Sequence, residues 1–117
     1  MGEVIIAPDI RELEEGPVIF LAGPIQGAED WQTDAIRLLQ GMTSAHIASP
    51  RQPIRHEGDF TSEMFVREAR WEHRYLDEAA RKGVILFWLA HEAIHFHHRA
   101  FAQTSRFELG WQMGRHI

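Results

Sequence analysis

The chain has 117 residues and a formal net charge of −5, and 44% of its residues are hydrophobic and 25% charged. This size fits one domain with its own core. The absence of cysteine excludes a disulfide scaffold, a thiol nucleophile and thiolate zinc sites. Basic residues are scattered, no apolar stretch approaches the ~20 residues of a membrane span, and the acidic N-terminus lacks a secretory pattern. We therefore expect a cytoplasmic protein with neither nucleic acid nor a membrane as a partner.

The N-terminal part of the chain leads into a short apolar segment. We expect residues 1–16 to be a loosely ordered lead-in, followed by an α/β domain over residues 17–117. Residues 18–22 are wholly apolar and lie between two Gly-Pro pairs. This length and these flanking breakers predict a buried strand.

A helix, a weaker strand and a long loop follow. Residues 30–42 predict a helix, and residues 45–49 predict a strand. The apolar residues of that helix at helical spacing are Trp31, Ala35, Leu38 and Leu39. Residues 50–62 are polar and contain two prolines, and we interpret them as a loop of the length that often carries function.

The longest helix and the strongest strand signal come next. Residues 62–82 predict a helix that Thr61 or Ser62 caps and that Gly83 ends in a left-handed conformation. The stripe expected to face the sheet contains Phe65, Ala69, Glu72, Leu76 and Ala79. Residues 84–89 are apolar throughout, as expected for a central parallel strand that is covered on both faces.

The order of these elements predicts the fold class. After a loop at residues 90–103, residues 104–115 read as a last helix, so strands and helices alternate along the chain. That alternation indicates an α/β fold with a parallel sheet and right-handed crossovers. Ligands of such sheets bind outside the carboxyl ends of the strands. We call this region the ligand edge, and residues 22–27, 49–60 and 89–108 converge there.

The turn after the first predicted strand is a candidate binding element. Its residues are Ala22, Gly23, Pro24, Ile25 and Gln26. Small residues allow a ligand to approach the backbone, and N–H groups at a helix start can hold an anion or a hydroxyl. A tight turn without a ligand is the alternative. Trp88 ends the strongest strand at the same edge, where its ring could stack on a nucleobase or belong to the core.

Two carboxylates are candidates for chemistry. Glu108 lies in the first turn of the last helix, where the helix dipole keeps a carboxylate ionised, as a nucleophile or electrostatic stabiliser requires. Glu72 lies on an apolar stripe, where a carboxylate costs energy unless it is paired or functional. Two carboxylates in different environments are typical of glycosidic chemistry. The alternatives are dipole complementation by Glu108 and an ion pair of Glu72 with Arg67, Arg70 or Arg74.

A histidine cluster offers a different chemistry. His91 and His95 match the H-E-x-x-H pattern of zinc hydrolases, with Glu108 as a candidate third ligand. The pattern requires residues 91–95 to be helical, yet it begins two residues after a strand-like run with no capping residue between. A zinc-dependent hydrolase on this segment is one alternative function, and a solvated loop is the other interpretation.

Four segments in this order resemble the nucleoside 2-deoxyribosyltransferase-like family. They are residues 19–25 (Ile-Phe-Leu-Ala-Gly-Pro-Ile), 71–73 (Trp-Glu-His), 83–88 (Gly-Val-Ile-Leu-Phe-Trp) and 104–110 (Thr-Ser-Arg-Phe-Glu-Leu-Gly). The likeness is closest to the branch with a Phe-Leu-Ala-Gly-Pro opening and a Trp-Glu pair on the middle helix. It implies a flavodoxin-like parallel sheet with helices on both faces, and exchange or hydrolysis of the N-glycosidic bond of 2-deoxyribonucleosides or nucleotides.

The resemblance also implies roles for individual residues. Glu108 attacks the anomeric carbon, and Glu72 contacts the base and handles its proton. Residues 22–26 face the sugar, and Ser105 stands near the nucleophile. An ionised carboxylate stabilises and can trap the oxocarbenium-like state, and a second acid protonates the leaving base. No metal or organic cofactor is therefore expected, and the partner is a small-molecule nucleoside or nucleotide.

The sequence departs from the family pattern in three places. Phe20 stands where some members have a tyrosine that binds the nucleophile, and Ala102 and Gln103 stand where some carry an acidic residue. The chain given ends at Ile117, before a further strand of the pattern. We expect either a truncated chain that lacks this C-terminal strand or an edge that another subunit covers. Since family members complete one another's pockets, a homo-oligomer is expected.

A non-catalytic nucleotide-binding or assembly module with the same fold remains an alternative. It predicts that Glu72 and Glu108 lie too far apart to share one ligand, well beyond the ~10 Å upper end for glycosidic carboxyl pairs. Arg51 and Arg55 in the long loop could meet a 5′-phosphate or could simply be solvated.

Overall fold

The computed structural model describes residues 2–25, 28–52 and 61–89, together with Leu109, Trp111 and Met113. These residues form four strands and two longer helices. In chain order the elements are β1 (Val4–Ile6), β2 (Val18–Ala22), α1 (Trp31–Met42), β3 (His46–Ser49), α2 (Ser62–Lys82) and β4 (Val84–Phe87).

The four strands form one parallel sheet in the order β1-β3-β2-β4. The chain steps from β2 to β3 on one side and then returns past β2 to β4. Right-handed crossovers therefore place α1 and α2 on opposite faces. The order β3-β2-β4 is that of flavodoxin-like sheets, whose ligands bind where the direction of winding reverses. The predicted α/β class is confirmed, and the reversal lies between the carboxyl ends of β2 and β4.

The first strand differs from the loosely ordered lead-in that we expected for residues 1–16. Val4–Ile6 pairs in parallel with β3, and the Ile5 side chain is fully buried. The buried His46 imidazole holds this segment at two points. Its Nδ1 accepts a hydrogen bond from the Glu3 N–H (3.0 Å), so its Nε2 donates to the Glu14 carbonyl (2.8 Å). Three residues give too short an apolar pattern to predict a strand, and β1 depends on pairing with β3.

Helix α1 begins and ends where the sequence predicts. The Asp30 carboxylate caps it by accepting from the Thr33 N–H at 3.1 Å. Its apolar spacing is only partly used, because Leu38 is 66% exposed. The residue of α1 that is fully buried is polar: Gln32.

Helix α2 packs against β2 and β4, and of the predicted stripe only Ala79 is fully buried. The fully buried positions are Trp71, Tyr75 and Ala79, and the Trp71 ring lies 5.6 Å from the Phe20 ring of β2. Phe65 and Ala69 are exposed, and Glu72 and Leu76 lie half-buried beside the buried line. Residues 71 and 75 therefore face the sheet in place of the predicted residues 72 and 76, because the large rings of Trp71 and Tyr75 bury more apolar area.

Two expectations at the end of α2 were wrong in detail. Gly83 ends the helix, but with φ −167° and not in the left-handed region. Glycine is required there because a Cβ would collide with the Val18 backbone. The following strand β4 is also not central among the described strands. It lies at one edge of their sheet, with Val84 56% exposed.

The C-terminal helix is seen at three positions. Leu109, Trp111 and Met113 are helical, in agreement with a helix over residues 104–115, whose other residues lie outside the described part. None of the helices in the described part combines the length and apolar character needed to cross a bilayer.

Candidate functional site

The carboxyl ends of β2 and β4 are joined directly at the ligand edge. The Trp88 N–H donates to the Ala22 carbonyl at 2.8 Å, which continues the parallel ladder by one residue. Gly23 follows, and a Cβ at this position would collide with the Trp88 carbonyl and the Trp31 ring. Glycine is therefore needed for close packing at the point where the sheet reverses its winding.

The turn after β2 is fixed by the first residues of α1. The Pro24 carbonyl accepts from Trp31 Nε1 at 3.1 Å and from Gln32 Nε2 at 3.4 Å. Ala22, Gly23 and Pro24 are buried, whereas the Ile25 side chain is 40% exposed. These four predicted binding residues therefore form a rigid turn whose exposed side chain is Ile25. Gln26, the fifth, lies outside the described residues.

Arg51 occupies the back of this turn. Its Nη2 donates to the carbonyls of Ile25 (2.9 Å), Ala28 (3.2 Å) and Glu29 (3.3 Å). Its Nε lies 3.7 Å from Asp30 Oδ1, and the side chain is only 18% exposed. We considered a phosphate contact or simple solvation for Arg51. The structure instead directs its guanidinium at protein carbonyls, and Arg55 lies outside the described residues.

Glu72 is a half-buried carboxylate without a hydrogen bond or ion pair among the described residues. Arg67, Arg70 and Arg74, which we considered as partners, form no ion pair with it. Burial raises the pKa of Glu72, and the nearby charge of Glu68 raises it further. A carboxyl group of this kind keeps its proton to a higher pH than an ordinary glutamate, as a proton donor requires.

Sequence reasoning missed Glu68, which acts on Glu72, and Gln52, which binds Glu68. Glu68 lies one turn earlier on α2, and its Oε1 accepts from Gln52 Nε2 at 2.7 Å. Gln52 follows β3, so this hydrogen bond ties the first half of α2 to the ligand edge. The four-residue spacing of Glu68 and Glu72 was a readable signal, because such residues are neighbours on a helix. No local pattern indicates the partner Gln52.

Trp88 lies where the sequence predicts. It follows β4 directly at the ligand edge, and its side chain is 55% exposed. A large aromatic ring that is half in solvent beside a rigid turn offers a flat apolar surface to a planar ligand. Trp71, by contrast, is fully buried between Phe20 and Tyr75 and belongs to the core.

The other predicted chemical groups lie outside the described residues. These are Glu108, Ser105 and the segment 91–95 with its two histidines. Leu109, directly after Glu108, lines a groove together with Phe87 and Ile85 of β4 and Met113. No group of three or more histidine and acidic side chains suited to a metal ion occurs in the part that the structure describes.

Comparison with known proteins agrees with this architecture. The profile of the family described as "nucleoside 2-deoxyribosyltransferase like" matches residues 16–117. No curated protein matches the chain at a significant level. The matched region includes every described element from β2 onward and the whole ligand edge. The chain therefore belongs to the nucleoside 2-deoxyribosyltransferase-like family.

Proposed function

We propose that this protein breaks the N-glycosidic bond of a 2-deoxyribonucleoside or nucleotide and passes the sugar to another base or to water. One observation carries the proposal: Glu72 is half-buried, has no partner among the described residues and has a raised pKa. A carboxyl group kept in this state costs stability, and proton transfer to a leaving base gives a reason for it.

The chemistry needs two carboxyl groups in different protonation states. In our proposal, the ionised Glu108 carboxylate attacks the anomeric carbon while the bond from that carbon to the base nitrogen breaks. The electron pair of the broken bond goes to the base, which takes the proton of Glu72. The product is a glycosyl ester of Glu108. An acceptor base or water then displaces Glu108 and returns a proton to Glu72.

The described walls suit a nucleoside. The turn over residues 22–25 is fixed by hydrogen bonds from α1 and exposes Ile25, so it can serve as a fixed wall for a sugar. The half-exposed Trp88 ring offers a stacking surface for a base at the neighbouring strand end. Leu109, directly after Glu108, lines a groove that runs along β4 from Gly83 to Phe87. These features support a planar base and a sugar held between the ends of β2 and β4.

The proposal is tested by following base release and exchange. Purified protein is incubated with deoxynucleosides or their monophosphates and a free acceptor base, and the products are separated by chromatography. We expect Glu72→Gln to lower kcat/KM by about 100-fold, since general acid catalysis contributes that much or more. Glu108→Ala should abolish turnover, because it removes the nucleophile.

Glu63→Gln is the matched control for the Glu72 variant. Glu63 is exposed in the first turn of α2, and its separation of nine residues from Glu72 places it on the opposite face of the helix, so its loss changes the same charge on the same helix. This variant should retain wild-type activity. Absence of base release from all substrates by folded wild-type protein would contradict the proposed function. It would favour a binding or assembly module instead.

A further inference from the structure

Two adjacent residues after β3 reach different walls of the site. Arg51 contacts the turn between β2 and α1, and Gln52 contacts Glu68 on α2. Since α1 and α2 cover opposite faces of the sheet, these side chains diverge as successive residues of an extended chain do. One short stretch at the end of β3 therefore connects both sides of the ligand edge.

The Arg51 contacts are those of a support for the backbone. Arg51 Nη2 donates to three carbonyls of the turn. Because the guanidinium is charged, these hydrogen bonds are stronger than those from a neutral donor and stabilise the turn. Two backbone hydrogen bonds close short turns in the same segment. The Ala28 N–H donates to the Ile25 carbonyl (3.3 Å), and the Trp31 N–H donates to the Glu29 carbonyl (2.9 Å). Asp30, which caps α1, also faces Arg51 Nε.

The Gln52 contact acts on the other wall. Its short hydrogen bond, 2.7 Å from Gln52 Nε2 to Glu68 Oε1, holds the Glu68 carboxylate at the ligand edge. Glu68 is the charged neighbour that acts on Glu72 among the described residues. Strands β2 and β4, against which α2 packs, carry only apolar side chains. Burial is the main cause of the raised pKa of Glu72, and the charge of Glu68, which Gln52 holds in place, is the second.

We propose that Arg51 and Gln52 are positioning residues that hold the two walls of the active site, the sugar-facing turn and the carboxylates of α2. This inference rests on the proposed function, because it gives the two walls their roles. Neither residue needs to touch the substrate, since each acts through the group that it holds.

For Arg51, the test uses Arg51→Lys, which keeps the charge but is one bond too short to reach the position of Nη2 and lacks the Nε that faces Asp30. Arg37→Lys is the matched control, because Arg37 is exposed and, among the described residues, forms its ion pair with Asp34 on its own helix. Hydrogen exchange by NMR should show the Ala28 and Trp31 amides exchanging about tenfold faster in Arg51→Lys than in Arg37→Lys. KM should rise by about tenfold, with a smaller change in kcat.

For Gln52, the test compares Gln52→Ala with the exposed control Gln40→Ala. The carboxyl carbon of Glu72 is titrated by NMR in each folded variant. In Gln52→Ala, Glu68 is released toward solvent, so the pKa of Glu72 should fall toward its ordinary value. Glu68→Gln should move it in the same direction, because it removes the charge itself. A purely structural role for Gln52 would lower stability without moving this titration.

The outcomes separate this inference from the proposed function. Unchanged amide exchange in Arg51→Lys, or an unchanged Glu72 titration in Gln52→Ala, would overturn it, whatever the result for Glu68→Gln. Both readouts are independent of turnover. If wild-type protein releases no base, the proposed function fails, while amide exchange and titration still decide whether the two residues hold these walls.

Discussion

At the scale of single residues, the environment of Glu72 links activity to stability. Its carboxyl group lies half-buried beside the Trp71 core position and near Glu68, so the neutral form is favoured in the folded chain. In the unfolded chain the same group is solvated and ionises at its ordinary pKa. The two states therefore bind different numbers of protons over a range of pH.

This difference predicts a pH-dependent stability. The pKa of Glu72 is raised above its ordinary value of 4.5 in the folded chain. Between these values the folded chain holds a proton that the unfolded chain has released. Stability that depends on Glu72 is thus greatest below pH 4.5 and is lost as the pH rises through the folded pKa. Glu72→Gln lacks this loss, because its amide does not ionise.

Urea denaturation of wild-type protein and Glu72→Gln over about pH 4 to about pH 7 measures this effect. We expect the variant to gain stability relative to wild type as the pH rises and to be the more stable protein near neutral pH. Glu63→Gln, at an exposed position, should show no such trend. A constant difference between wild type and Glu72→Gln across this range would contradict the account.

At the scale of elements, substitutions at two glycines show how closely the end of α2 packs against the sheet. Gly83 lies against the Val18 backbone, whereas Gly41 near the end of α1 has open space around it. Gly83→Ala should lower the free energy of unfolding by about 2–4 kcal/mol, because the backbone of β2 cannot yield easily. Gly41→Ala should raise it by about 0.5–1 kcal/mol, since alanine is the better helix former. Thermal unfolding checks both, and similar effects at the two positions would refute this packing.

The sequence predicted elements well where the signal is local. Helices α1 and α2 and strands β2, β3 and β4 were found within one or two residues of their bounds, because caps, glycines and apolar runs mark them. Strand β1 was missed because its pairing with β3 is not a local property. The buried face of α2 was misplaced because spacing alone cannot weigh the Trp71 and Tyr75 rings against smaller residues.

At the scale of the whole molecule, the winding of the sheet positions the site. The strand order brings the ends of β2 and β4 side by side, and α2, which carries Glu72, packs against both strands. The alternation of strands and helices along the sequence was enough to predict this parallel sheet. Arg51, Gln52 and Glu68 were not predicted as parts of it. Their contacts join residues 16 to 26 positions apart through long side chains, and no local pattern encodes them.

The account as a whole depends on Glu72 as the proton donor to the leaving base, and substrate choice tests this directly. A neutral base such as guanine needs that proton, whereas N7-methylated deoxyguanosine already carries a positive charge on its base. Glu72→Gln should lose about 100-fold in kcat/KM on deoxyguanosine and less than about tenfold on the methylated substrate. An equal loss on both substrates would contradict the assignment of Glu72 as the acid.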